Sequence, residues 1–152
     1  MIFATVGTHH QPFDRFVRIA LALAGDAQLV VQHGHTERIG AGPSVQWHRW
    51  LAPGQMNALM RAADLVVTHA GVASIVDAVR AGQRPIVVPR RQHLGEHVDD
   101  HQLQIVRALE DVGIVTRLHN AADAAPGPVD APVSAWPPPG LKAAVRESVL
   151  GA

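Results

Sequence analysis

Four short apolar runs, at residues 2–6 (IFATV), 29–32 (LVVQ), 65–68 (LVVT) and 85–88 (PIVV), are separated by stretches with helical spacing. No other feature of the chain constrains its fold as much. Runs this short and this continuously apolar are strands covered on both faces. A covered strand, a helix and another covered strand make a βαβ crossover, and repeated crossovers build a parallel sheet. Between the first two runs, Phe13, Phe16, Val17, Ala20, Leu23 and Ala24 repeat at helical spacing, with Pro12 suited to the first turn and Gly25 to the stop. Residues 53–63, 72–81 and 97–112 read as further helices. The first turns Met56, Leu59 and Met60 inward, Gly82 ends the second, and Val98, Ile105, Val106 and Leu109 share one face of the third. Residues 33–44 read as a glycine-containing loop, and 45–48 and 114–116 as additional strands. The expected fold class is α/β: one Rossmann-like domain, its parallel sheet covered by helices on both faces. A single domain over residues 1–152 is expected, with a core to about 116, an Ala/Pro/Gly-rich meander over 120–140, and a helix over 141–150 that docks back.

Composition narrows the classes of partner. At 47% hydrophobic and 17% charged residues the chain reads as soluble and globular. Its 13 basic and 13 acidic residues cancel, so no basic excess points to nucleic acid or an anionic membrane. Cysteine is absent, which excludes disulfides and Cys-ligated zinc and is compatible with a reducing cytoplasm. The start MIFATVGT lacks the basic region of a signal peptide. The longest apolar run, IALALA at 19–24, is far short of the ~20 residues that span a bilayer.

Three segments carry chemistry. The turn Gly7-Thr8-His9-His10 follows the first strand, where a glycine lets the backbone approach a ligand and the next helix offers free N–H groups to a phosphate. An ordinary strand-to-helix turn would look the same. A dinucleotide fingerprint it is not, because GxGxxG is absent and no acidic residue ends the second strand. The second segment, ADLVVTHAGVASIVDAVRAGQRPIVVPR, puts His69-Ala70-Gly71 at the carboxyl end of a strand. Ligands collect at such ends in open parallel sheets. Ser74 and Asp77 stand three apart on one face of the helix that follows, where Asp77 can accept hydrogen bonds from ribose hydroxyls. Helix capping and a solvated acidic position are the plainer readings of these two. In the third segment, PRRQHLGEHVDDHQ, the residues Glu96, His97, Asp99, Asp100, His101 and Gln102 crowd one helix start. Acids there suit the helix dipole, and such a cluster can also read sugar hydroxyls. His97 and His101 at i,i+4, with His93 nearby, would be the set for a metal. The glutamate of HExxH is missing, and no metal is assigned.

These three segments together resemble the C-terminal domain of glycosyltransferase family 28. The likeness runs from Met1 to about Val115 and is closest to free-standing forms that serve as subunits of two-component transferases. It implies a GT-B half that grips a UDP-sugar donor. Gly7, Thr8 and His9 would face the diphosphate, with His69, Ala70, Gly71 and Ser74 beside it. Asp77 falls where the family usually has a ribose-binding glutamate, one methylene longer. Glu96, Asp100, His101 and Gln102 would meet the donor sugar, and residues 50–53 the uracil. The implied reaction is inverting transfer of a hexose-type sugar to a lipid-linked glycan acceptor, with no cofactor. His10, or His9, is the local candidate for the base, since a neutral imidazole suits that role near pH 7.

A GT-B site needs two Rossmann-like domains, and 152 residues hold one. The expected partner is therefore a membrane-anchored subunit that binds the acceptor and keeps this chain peripheral to the membrane in the cytoplasm. Without that partner an exposed apolar surface is expected to drive homo-oligomers. Two rival readings stay open: a nucleotide-sugar-binding or enhancer module without turnover, and a UDP-sugar hydrolase. The sequence leaves GlcNAc, glucuronate, galactose and glucose as candidate sugars.

Overall fold

A computed structural model describes residues 1–40, 42, 44–124, 140 and 142. Six strands form one sheet: β1 (Ile2–Thr5), β2 (Leu29–Gln32), β3 (Val45–His48), β4 (Leu65–His69), β5 (Ile86–Val88) and β6 (Thr116–Arg117). The helices are α1 (Asp14–Ala24), α2 (Pro53–Ala62), α3 (Val72–Arg80) and α4 (His101–Asp111). The strand order is β3-β2-β1-β4-β5-β6 and every pairing is parallel. β1 lies at the centre, with Ile2 opposite both Leu29 and Leu65. Chain order reverses direction between β1 and β4, which opens a crevice at their carboxyl ends.

The alternation of side chains along each strand divides the core. Ala4, Val31, Val67 and Val88 point to the face covered by α1, against Phe13, Phe16, Val17 and Ala20. Phe3, Val30 and Val66 point to the other face, against Met60 and Ala63 of α2 and its end and Ala78 of α3. Val87 and Val115 meet Ile75 and Val79 of α3 and Val106 and Leu109 of α4. The Rossmann-like sheet with helices on both faces is thus the observed architecture.

Three expected boundaries move, each for a local reason. Pro12 precedes α1, because Phe13 is the residue before its first turn and is fully buried. The Phe13 N–H donates to Thr36 Oγ1 at 2.9 Å, so the β2–β3 loop satisfies a donor that the helix leaves open. α4 begins at His101, four positions later than the spacing predicted. Asp99 and Asp100 bind nearby backbone instead: Oδ1 of Asp99 accepts from the His101 N–H at 3.0 Å, and Oδ1 of Asp100 from the Gln92 N–H at 3.0 Å. Short acidic side chains compete with helical backbone in this way. Val98, expected on the buried face of that helix, is 63% exposed. The last strand is displaced to Thr116–Arg117, while Ile114 and Val115 are buried ahead of it. The expected helix over 141–150 and the meander beyond residue 124 lie outside the described residues, apart from Gly140 and Lys142.

The corrected start of α4 predicts an asymmetry in stability. Leu109→Ala should lower unfolding free energy by about 2–5 kcal/mol. Val98→Ser should change it by less than about 0.5 kcal/mol. Urea denaturation of the two variants checks this, and a large loss from Val98→Ser would contradict the exposed placement.

Candidate functional site

The crevice between β1 and β4 is built around one side chain. His69 ends β4, and its ring lies between Gly7, after β1, and Gly71, before α3. A Cβ on Gly7 would stand 2.3 Å from His69 Cε1, and one on Gly71 would stand 2.2 Å from Nε2. No side chain fits at either position. Gly7 also has φ +77, a conformation that disfavours any other residue. The glycines of both motifs therefore make room for an imidazole, a role the sequence reading did not foresee. Burial, and then the Arg90 guanidinium, push the His69 pKa down to about 4, against a smaller opposing influence of the Thr5 backbone. The ring is neutral at neutral pH. Among the described residues its buried Nδ1 has no hydrogen-bond partner of good geometry.

A polar network fixes the Gly7 turn from below. Thr5 Oγ1 donates to Gln32 Oε1 at 2.6 Å and accepts from the Gly7 N–H at 3.3 Å. Gln32 Nε2 donates to the Gly7 carbonyl at 3.3 Å and the Arg49 carbonyl at 3.0 Å. Arg90, 1% exposed, reaches across the top of β1 from the end of β5. Its guanidinium donates to the carbonyls of Val6 at 3.2 Å, Gln11 at 2.9 Å and Glu96 at 3.0 Å, and lies 4.4 Å from the Phe13 ring centroid. Burial lowers its pKa to about 10, so it stays charged at neutral pH, and Glu96 opposes the shift. Nothing in the spacing of PRR singled out Arg90.

The resulting cleft holds about 520 Å³. Gly7, Thr8, His69, Gly71, Ser74 and Asp77 line it, and Trp50, Leu51 and Met56 close its far wall. At its edge, α3 begins at Gly71 with no side-chain cap. The first helical bond is from Ile75 N–H to the Gly71 carbonyl, so the N–H groups of Val72, Ala73 and Ser74 lack helical partners. The sequence motifs from β1 and β4 are thus brought together, with Ala70 buried beneath them.

The third motif divides. Glu96 is 6% exposed, outside the cleft, and held by Arg15 through Nε at 3.0 Å and Nη2 at 2.7 Å. It also accepts from the Arg91 N–H at 2.9 Å. Its carboxylate is committed to joining α1 and the β5–α4 loop. Asp100 and His101 are exposed at the start of α4, and Gln102 is half-buried with its Oε1 unpartnered among the described residues. None of the four lines the cleft. His9 bonds Gln11 Oε1 through Nε2 at 2.8 Å and stacks on His97 at 4.7 Å. Burial first, partly offset by that bond, lowers its pKa. His10 is exposed beside it, ring centroids 4.7 Å apart. Among the described residues, no three His, Asp or Glu side chains converge as a metal set, so His93, His97 and His101 stand apart.

A model of the glycosyltransferase family 28 C-terminal domain matches residues 1–120. The chain belongs to that family. Among curated relatives of this family 28 domain, the UDP-N-acetylglucosamine transferase subunit ALG13 of Eremothecium gossypii is 33% identical over 129 residues, covering 66% of this chain and 62% of that protein. The subunit of the same name from Yarrowia lipolytica is 40% identical over 50 residues, 33% of this chain and 24% of that one. The chain spans less than two thirds of the length of these relatives. Among solved structures, the glycotransferase of kitacinnamycin superposes with TM-score 0.59 at 23% identity, covering 97% of this chain and 34% of that one. The glycosyltransferase SnogD from Streptomyces nogalater gives TM-score 0.58 at 19% identity, covering 97% and 38%. At these identities the likeness is one of fold, that of one half of a GT-B glycosyltransferase.

The neutral His69 makes stability depend on pH. Its folded-state pKa lies below the ordinary 6.5, so between 6.5 and about 4 the unfolded chain binds more protons. The imidazole's contribution is intact above 6.5 and is lost as pH falls, by up to about 3 kcal/mol at the low end. Comparing wild type with His69→Asn across this window separates the effect from carboxylate titration. The wild type should lose stability more steeply, and equal slopes would contradict the buried neutral ring.

Proposed function

We propose that this chain is the donor-binding subunit of an inverting GT-B glycosyltransferase, transferring a hexose-type sugar from a UDP-sugar to a lipid-linked glycan. The carrying observation is the cleft at the reversal of strand order, into which an uncapped helix start, two glycine turns and one carboxylate all face. A diphosphate suits the open N–H groups of Val72, Ala73 and Ser74, where the helix dipole adds positive potential. Gly7, Thr8, His69 and the Ser74 hydroxyl would complete that seat. Asp77, one turn further along α3, would accept from ribose hydroxyls, and the wall formed by Trp50 and Leu51 would receive the uracil. His101 and Gln102, beyond the cleft at the start of α4, would reach a sugar projecting toward them.

In this reading negative charge grows on the departing diphosphate as the acceptor hydroxyl attacks the anomeric carbon. Fixed N–H donors stabilise that charge without reorganising. The hydroxyl proton passes to a base. His10 is the local candidate, being exposed, whereas the His9 ring is held by Gln11 and His97. The acceptor pocket belongs to a second, membrane-anchored subunit, and the chain itself acts as one domain from the cytoplasmic side. No helix among the described residues is long and apolar enough to cross a membrane.

Calorimetry with UDP tests the donor seat: Asp77→Ala should weaken binding by about 1–3 kcal/mol, and unchanged affinity would remove Asp77 from the site. EDTA should leave turnover by the two-subunit enzyme intact, and a loss restored by metal would contradict diphosphate stabilisation by N–H donors alone. The chain alone should bind UDP yet transfer little sugar to a lipid-linked acceptor until the second subunit is added. Full activity without that subunit would sink the two-subunit reading.

A further inference from the structure

Away from the cleft, the fold gathers basic side chains that are remote in sequence. Arg15 of α1, Arg91 and His93 after β5, and His119 and Asn120 after β6 line a niche of about 190 Å³ together with Leu94. None of these six residues carries a carboxylate. The Arg15 guanidinium is occupied by Glu96 and by the carbonyls of His119 at 2.7 Å and Pro89 at 2.6 Å. That of Arg91 is not: its Nη2 donates to His119 Nδ1, and no carboxylate among the described residues pairs with it. Because Nδ1 of His119 accepts, its remaining ring nitrogen carries the proton and is a donor. Burial and the surrounding arginines Arg91, Arg117 and Arg15 keep that imidazole neutral, against Asp123. The niche therefore offers N–H donors and a net positive field, the complement of an anionic oxygen cluster.

Its one apolar lining residue, Leu94, is 52% exposed. The turn that presents Leu94 is closed on itself. Arg91 N–H donates to Glu96 Oε2 at 2.9 Å, Glu96 N–H returns to the Arg91 carbonyl at 3.1 Å, and Gly95 N–H donates to the Gln92 carbonyl at 2.9 Å with φ +70. Leu94 is thus held outward by a rigid loop instead of folding back on the core. A phosphate free in solution has no use for an apolar neighbour, whereas a lipid phosphate is flanked by one.

We infer that the Arg91–His93–His119 niche, with Leu94 exposed at its edge, seats the phosphate of a membrane lipid and gives this chain a membrane contact of its own. Arg91 supplies a guanidinium able to engage two phosphate oxygens, His119 and Asn120 supply further donors, and Leu94 enters the acyl boundary. The contact supplements the anchoring subunit and is independent of the donor seat, since no residue is shared.

Flotation of the full chain with vesicles tests it. Vesicles of phosphatidylcholine alone should leave the chain in solution, and equal mixtures with phosphatidic acid should carry it up. Arg91→Ala should weaken that binding about fivefold, the effect of one interfacial cation. Leu94→Ser, a change at an exposed position, should weaken it as well. Both variants should bind UDP like the wild type, which reports folding and keeps the outcome separate from the donor reading. Vesicle binding that is absent, or unchanged in Arg91→Ala, would overturn the inference. So would inorganic phosphate shifting the His93 and His119 resonances while Leu94→Ser binds vesicles unimpaired, since that describes a soluble-anion site.

Discussion

A neutral imidazole packed between two glycines sets the geometry of everything at the carboxyl edge of this sheet. His69 fills the gap that reversal of strand order leaves between β1 and β4. Because Gly7 and Gly71 have no Cβ, both turns close on the ring, and the start of α3 is drawn against the turn after β1. The N–H groups at that helix start are then aimed at one volume with the Gly7 turn. A larger residue in either turn would push the two motifs apart by more than the flexibility of a close-packed interior allows.

The second support is the buried cation network, and it works through backbone. Arg90 holds three carbonyls, Val6, Gln11 and Glu96, and so spans the β1–α1 turn and the β5–α4 loop. Arg15 and Glu96 pair through two hydrogen bonds and fasten the first helix to the same loop. Buried ion pairs contribute less net stability than their short distances suggest, because both charges lose water. Their value here lies in position. Removing either partner strands a charge in the interior, so the loops keep one arrangement. Burial is the main influence that holds down the proton affinity of His69 and His9, and the Arg90 guanidinium adds to it in both.

Much of this was legible in the sequence, and the remainder was hidden for identifiable reasons. The helical repeat of Phe16, Val17 and Ala20 and the apolar runs of β1, β2, β4 and β5 depend on local periodicity, which a sequence displays directly. The HAG turn was legible as a strand end, but the reason for its glycine was not, since that reason is a ring from its own strand pressing on two turns. Val98 fits a helical spacing and is nevertheless exposed, because Asp99 binds the His101 N–H that a longer helix would have used and Asp100 turns back to the Gln92 N–H. Glu96 stood among residues able to read a sugar, and its partner Arg15 lies 81 positions away. Long-range pairing of this kind leaves no periodic trace, which is also why a chain of zero net charge can assemble a basic niche from residues 15, 91, 93 and 119.

The distribution of charge around the crevice bears on the donor reading. Among the residues lining the cleft, Asp77 is the one carboxylate, and it stands a turn away from the uncapped helix start. The charges nearest His69 are cationic or neutral: Arg90, His9 and His97. A dianionic diphosphate arriving there would meet helix N–H groups, a buried guanidinium behind the loop and no opposing carboxylate at close range. Its own charge would raise the proton affinity of His69, offsetting what Arg90 takes away. On taking up a proton the imidazole would donate a charge-assisted hydrogen bond to a phosphate oxygen, opposite the negative charge that builds on the leaving group. A ring kept neutral by burial and protonated as a diphosphate binds would gain its charge opposite the leaving group, a response that a permanently charged side chain in that position would lack.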